Sequence, residues 1–325
     1  MSLLWLRRRV NFTMNTRCFQ RNFCAASSPL VPVPLPSPVE THLWYLVPNE
    51  VKNETLLNKY LELLSTCERE NVFRMSGDQL RKRALLARAL VRTTISRYQT
   101  NCEVHPRSLR FRKNIYGKPE VDWQDVDDRH LPPLHFNISH TSSLIACGVT
   151  VNSPIGIDVE EKQRKLKNNI LAFARRYFSP YEVELLTAIS DPEFQRQEFI
   201  KLWTLKEAYV KALGRGFSAT PFKTFTIRFQ TAMEGGIHLS GHRDSEAFDI
   251  VINTFDDPKN LTNNWQFALL DLAGSHYAAI CTEKDRTAGG KGTLPMKLTV
   301  WRTIPFVEDE CVSGTDAVVA IAGLT

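Results

Sequence analysis

Two short stretches of this 325-residue sequence carry side chains whose types and spacing suit chemistry on a densely charged group. The first is IGIDVEE, residues 155–161. On a strand, Asp158 and Glu160 project to one face while Ile157 and Val159 enter the core. Two carboxylates side by side repel until a proton or a cation neutralises them. A hard ion such as Mg²⁺ takes oxygen ligands and keeps positions for phosphate oxygens. An Asp-x-Glu at a strand end that simply reaches solvent has the same spacing. The second stretch is FIKLWTLKEAYVKALGRGF, residues 199–217. As a helix it places Leu202, Leu205, Tyr209, Ala212 and Leu213 on a core stripe, with Glu207 and Lys211 opposite, within about 40° of each other. Glu four residues before Lys is the favoured order for a surface ion pair, so spacing alone describes a solvated face. Trp203 shares that side, and tryptophan is rarely fully solvated, so something is expected to cover it. Lys206, between the two faces, has no assigned role. A dispersed basic group, Arg69, Arg112, Lys113, Lys118 and His140, would complete a polyphosphate pocket beside a metal site. His140 ends a strand, a position suited to ligand contact.

These residues need elements to hold them. After a proline-rich linker (Pro29 to Pro38), HLWYLVP reads as a strand and residues 56–64 as a helix. A second helix, 78–98, carries an apolar stripe at Leu80, Ala84, Ala87, Val91 and Tyr98, with Arg81, Arg88 and Arg92 turned away. SLRFRKNIYGKPEV is a strand ending in a Gly117-Lys118-Pro119 turn. HFNISH and SLIACGVTV are strands that lead into IGIDVEE. Residues 163–190 are mostly helical, with a break at 177–180. Pro192 starts the helix that holds Glu207, and Gly214 and Gly216 end it. FKTFTIRF is a strand, and WQFALLDLAGSHYAAICTE a strand, turn and strand. That closing unit echoes HFNISHTSSLIACGVTV, which predicts an α+β fold of two similar halves, residues 40–152 and 153–285. Residues 286–325 begin with a linker-like RTAGGKGT and have no predicted role.

Composition narrows the function classes. The formal charge of +6 lies in the leader, because residues 1–39 hold five arginines and no acidic residue. The remainder carries 36 basic against 35 acidic residues, which argues against a nucleic-acid coat. No apolar run is long enough to span a membrane; PLVPVPLP is broken by prolines. The acid-free, Arg-rich leader predicts organelle import, to the mitochondrial matrix before the plastid. Arg21, followed by Phe23 and CAASS, resembles a cleavage site. On this reading residues 1–39 are a disordered transit peptide and linker. Seven cysteines without a CxxC argue against a zinc finger or disulfide framework.

IGIDVEE followed by WTLKEAYVK resembles the paired signature of 4′-phosphopantetheinyl transferases, G-[IV]-D-x-E then W-[STA]-x-K-E-x-x-x-K. The larger, two-lobed, monomeric branch of that family also has a GKP turn and an N-[IVL]-S-H segment upstream, here Gly117-Lys118-Pro119 and Asn137-Ile138-Ser139-His140. The resemblance spans about residues 41–284. It implies two α+β lobes in pseudo-two-fold arrangement with the active site in the cleft between them. It implies transfer of phosphopantetheine from coenzyme A to a serine of an apo acyl carrier protein, a mitochondrial one given the leader, leaving adenosine 3′,5′-bisphosphate. Carried over, Asp158, Glu160 and Glu207 would hold Mg²⁺, the middle position being one at which family members differ. Lys211 would contact the pyrophosphate and stabilise the leaving group. Lys118 and His140 would bind coenzyme A, with Arg69, Lys113, Asn137 and Ser139 as neighbours. Glu207, directly or through a metal-bound water, is the candidate base for the acceptor serine. Two rivals remain: a Mg²⁺-dependent nuclease built on Asp158, Glu160 and Lys162, and a non-catalytic carrier-protein or RNA-binding module of the same fold.

Overall fold

Along β1 (Glu40–Leu46) neighbouring side chains enter different cores, Leu43 and Tyr45 one way and Trp44 and Leu46 the other. That is the period of two in a strand buried on both faces. The structure, a computed structural model, describes residues 30–98, 105–122, 134–166, 169–231, 248–254, 264–284 and 296–323. The arginine-rich part of the leader lies outside them. After β1 come α1 (Glu54–Leu63), α2 (Thr66–Phe73), α3 (Asp78–Ser96), the hairpin β2 (Arg110–Lys113) and β3 (Pro119–Asp122), then β4 (Leu134–His140) and β5 (Ile145–Val151). The same order then recurs: β6 (Ile155–Glu161), α4 (Ile170–Tyr177), α5 (Pro180–Thr187), α6 (Pro192–Leu213), the hairpin β7 (Phe225–Thr231) and β8 (Phe248–Thr254), then β9 (Trp265–Leu272) and β10 (His276–Glu283). In each lobe the first strand lies beside the last: β1-β5-β4 in one sheet, β6-β10-β9 in the other. The α+β fold with two similar halves is therefore present.

Strand alternation also explains how the lobes join. Leu43, Ala146, Ile157, Leu270 and Ile280 from both sheets share one central core. The opposite faces of the two sheets pack on α1 and α3, and on α6, respectively. The layers therefore run helix, sheet, sheet, helix. β4 and β6 are edge strands of their sheets, and side chains bridge them. Asn137 Oδ1 accepts the Ile157 N–H at 2.9 Å and Ser139 Oγ accepts the Val159 N–H at 3.2 Å. An edge that would otherwise be left open is thus satisfied.

Three expectations change. First, α3 exists, but its buried face centres on Leu85, Leu86, Ala89 and Leu90, and Leu80 is exposed. Arg92 points inward, bonded to Glu68 at 2.7 Å and to the carbonyls of Pro106 and Leu109. Its guanidinium finds acceptors there, which is what permits burial. Second, residues 30–39 are packed rather than disordered. The Val33 N–H bonds the Arg97 carbonyl at 2.9 Å, and Val33 and Leu35 lie on the first lobe's core. Third, the C-terminal segment is part of both sheets. β11 (Lys297–Ile304) pairs parallel with β1, β12 (Glu308–Cys311) extends that sheet, and β13 (Val318–Ala322) pairs with β9 in the other. Short strands alternating with polar turn residues carry too weak a signal to be read alone.

The segment is anchored by Arg97, only 2 % exposed, whose Nη2 meets both Asp309 oxygens at 2.6 and 2.7 Å. Asp309→Ala would strand that buried charge. It is expected to lower stability by about 3 kcal/mol, read as an earlier midpoint in denaturant.

Candidate active site

β6 places Gly156, Asp158 and Glu160 on the face toward α6, and the first of these sets the spacing. A Cβ on Gly156 would lie 2.0 Å from the Ala208 carbonyl oxygen and 2.2 Å from the Ala212 nitrogen. The helix backbone therefore rests directly on the strand, with Glu207 and Lys211 beside the contact. Capping by Asp191, whose side chain accepts the Phe194 N–H, and Pro192 in the first turn start this helix. Gly214 in the left-handed conformation ends it. The expected stripe of Leu202, Leu205, Tyr209 and Ala212 is buried. Trp203 is covered, as its type required: the rings of Phe173 and Tyr177 on α4 lie 5.5 and 5.9 Å away, and Phe222 5.1 Å.

Asp158 is 5 % exposed and is held by two partners that also bond each other. Ser139 Oγ donates to its Oδ1 at 2.8 Å, and Lys211 Nζ donates to the same oxygen at 2.6 Å and to Ser139 Oγ at 3.1 Å. Its Oδ2 is buried without a hydrogen-bond partner. Lys211 thus reaches across the cleft rather than along its own helix. Glu160 is paired with Arg164. Burial, then the charge of Asp158, pushes the Glu160 carboxyl up to about 7. Glu207 is raised too, by burial first and then by Asp158. The three carboxylates are close enough to oppose one another's ionisation, the situation a cation relieves. Among the described residues no three such side chains are gathered as they stand to hold a metal ion; Lys211 and Arg164 are the cations seated on the carboxylates. The donor set is nevertheless all oxygen, and the orphaned Oδ2 of Asp158 supplies a ready ligand. The chemistry fits a hard divalent ion.

The basic residues divide. His140 stands at the end of β4, its pKa lowered by burial and then by Lys211 and Arg83. Hydrogen bonds from Ser142 and Ser143 hold Glu161 below its ordinary range, with His276 and Arg83 contributing. Arg83, on α3, acts on the charge of both His140 and Glu161, a cation that sequence reasoning missed. Arg164 is another; its position four residues after Glu160 was the available signal. Lys118 does not reach into the cleft. Its ammonium donates to the carbonyls of Ile155 at 2.8 Å and Ala212 at 3.4 Å, and burial lowers its pKa to about 8. It caps the last turn of α6, and with Asn114, which donates to the Gly214 carbonyl at 3.0 Å, ties the β2–β3 hairpin to that helix. Asn137 is likewise occupied by the β6 backbone. Arg69 donates to the Glu62 carbonyl at 3.1 Å, and Lys113 and Arg112 are exposed on β2.

The cleft thus offers clustered carboxylates with one unsatisfied oxygen, a mobile-length lysine and flanking cations, which suits displacement at a phosphorus centre. Comparison with known proteins agrees. Residues 154–281 match the 4′-phosphopantetheinyl transferase superfamily, and residues 52–151 match the N-terminal region of 4′-phosphopantetheinyl transferases. A 4′-phosphopantetheinyl transferase of Bacillus subtilis is 32 % identical over 186 residues, 57 % of this chain and 75 % of that protein. The transferase Sfp of Bacillus subtilis strain 168 is 33 % identical over 181 residues, covering 56 % and 73 % of the two chains. HetI of Nostoc is 30 % identical over 179 residues, covering 55 % and 70 %. With the signature residues gathered around one cleft and three quarters of the Bacillus subtilis transferase matched, this chain belongs to the 4′-phosphopantetheinyl transferase superfamily and is an enzyme of that class.

Proposed function

We propose that this enzyme uses coenzyme A and Mg²⁺ to place 4′-phosphopantetheine on a serine of an apo acyl carrier protein, releasing adenosine 3′,5′-bisphosphate. The observation that carries the reading is Asp158, buried, bonded to Lys211, and left with one unpartnered oxygen among raised carboxylates. In the reaction the acceptor serine oxygen attacks the pantetheine-side phosphorus and its proton is taken up by Glu207. The bond from that phosphorus to the bridging oxygen breaks, and Lys211 neutralises the charge that grows there. Asp158, Glu160 and Glu207 would hold the Mg²⁺, which supplies charge neutralisation at the pyrophosphate. His140, Arg83 and Ser139 border the same cleft and would take the remaining phosphate, with Lys113 farther out on β2. Glu207 suits the base role because burial raises its proton affinity.

Both lobes furnish cleft residues from one chain, which favours a monomer. The acid-free leader favours the mitochondrial matrix and an acyl carrier protein there. Sedimentation at micromolar protein, and import with processing by isolated mitochondria, check these two points. The central test is incubation with coenzyme A, Mg²⁺ and candidate apo carrier proteins, read by mass spectrometry. The phosphopantetheine increment on a serine is expected; its absence from every carrier would sink the proposal.

A pH dependence follows. Glu160, held near 7, stays protonated up to that pH in the cation-free protein, and raising the pH through 7 charges it and removes stability. The stabilisation by Mg²⁺, which neutralises the same repulsion, is therefore expected to be larger at pH 8 than at pH 6. Thermal melts with and without millimolar Mg²⁺ measure it, and equal shifts at both values would count against these ligands.

A further inference from the structure

Lys206 is fully buried, and so is its partner Glu182 on α5. An ammonium has three donors, and acceptors stand within reach of all of them: the carbonyls of Phe222 at 2.9 Å and Phe225 at 2.7 Å, and Glu182 Oε1 at 2.9 Å. Glu182 in turn accepts the Ile227 N–H at 2.8 Å and the Ser179 N–H at 2.9 Å. The Phe225 ring centre lies 4.1 Å from the ammonium. One side chain of α6 is thus bound to α5, to β7 and to the turn before β7.

The attraction between the two charges does not by itself account for such a pair. Desolvation of two charges offsets their attraction, and a well-packed apolar replacement is often neutral or stabilising. What an apolar pair lacks is direction. On its other side α6 meets β6 backbone to backbone at Gly156, Ala208 and Ala212, a contact that sets the distance between helix and strand rather than the rotation of the helix about its own axis. Lys206 immediately precedes Glu207, and the Glu207–Lys211 face lies about 100–140° round the helix from it. A roll of about 20° would carry side-chain tips, about 6 Å from the axis, through about 2 Å. That would break the 2.6 Å contact of Lys211 with Asp158, and a misplacement of about 1 Å can cost 10²-fold in rate.

We propose that the Lys206–Glu182 pair is a positioning device for the transfer reaction, setting the roll of α6 so that Glu207 and Lys211 face Asp158 and Glu160. The inference rests on the function proposed above. Its test is the double variant Lys206→Met/Glu182→Leu, which removes both charges together. A folded protein with a lowered denaturation midpoint is expected, because the Phe222 and Phe225 carbonyls and the Ile227 and Ser179 N–H groups lose buried partners, with kcat lowered about 10²-fold and KM for coenzyme A within about twofold. Glu182→Gln, which keeps shape and an acceptor oxygen, serves if the double variant does not fold, and a severalfold fall in kcat is expected from it.

A second readout is independent of transfer. With 5-fluorotryptophan incorporated, the ¹⁹F resonance of Trp203, packed between Phe173 and Phe222, is expected to shift in either variant. Wild-type turnover together with an unmoved Trp203 resonance in a folded variant would overturn the positioning role. A wild-type protein that transfers nothing would overturn the functional reading, while the resonance still decides the geometry.

Discussion

Asp158→Asn is expected to lower transfer by about 10³-fold or more while leaving a protein that unfolds cooperatively. The amide matches the carboxylate in shape, so Ser139 Oγ keeps an acceptor. What disappears is the charge that holds Lys211 at 2.6 Å and the unpartnered oxygen available to a cation. Losing one preorganised charge-stabilising group costs about 10²–10³ in rate, and this residue serves two such roles. The fold tolerates the change because the two neighbouring carboxylates, Glu160 and Glu207, lose a repulsive partner. Single-turnover transfer by mass spectrometry, run beside a denaturant melt, separates these effects. Wild-type turnover from a folded Asp158→Asn protein would remove this residue from the chemistry.

Gly156→Ala is expected to damage both stability and turnover, because the added methyl has nowhere to go. Its nearest neighbours, the Ala208 oxygen at 2.0 Å and the Ala212 nitrogen at 2.2 Å, are helix backbone. They retreat only if all of α6 lifts by more than an ångström, carrying Glu207 and Lys211 away from Asp158. Overpacking of this kind costs about 3 kcal/mol, and the displacement itself about 10²-fold or more in kcat. Gly148→Ala is a milder control for turnover, since its added carbon meets side chains rather than the α6 backbone, Ile157 Cγ2 at 2.7 Å and Ile155 Cδ1 at 2.8 Å. Equal effects of the two substitutions on turnover would contradict this account.

Much of the framework was legible in the chain. Period-two alternation in IGIDVEE marks a strand and puts Asp158 and Glu160 on one face. Helical periodicity marks α6, separates Leu202, Leu205 and Tyr209 from Glu207 and Lys211, and leaves Trp203 needing a cover. The echo of HFNISHTSSLIACGVTV in WQFALLDLAGSHYAAICTE matches a real repetition of strand order in the two lobes. Periodicity succeeds here because backbone geometry dictates which neighbours in sequence share a face.

Partners far apart in sequence were beyond that reach. Lys118, in a turn, and Asn137, beside it in the coenzyme-binding set that the family resemblance implies, are instead occupied by backbone: one caps α6 and the other binds the β6 strand. Arg92 has the pattern of a surface arginine and lies buried on Glu68. Arg83 is one of several basic residues on α3, and only the packing of that helix beside β4 brings it to His140.

The sequence by itself determined the elements, the faces of β6 and α6, and the residue types that mark a 4′-phosphopantetheinyl transferase. The tertiary structure alone decided that Lys211 reaches Asp158 beside Ser139, that Gly156 seats the helix, and that Lys206 anchors it. The physical reason is one of range. Local pattern fixes the direction in which a side chain leaves its own backbone. Desolvation, and the need of every buried donor and acceptor for a partner, fix what it meets across the cleft.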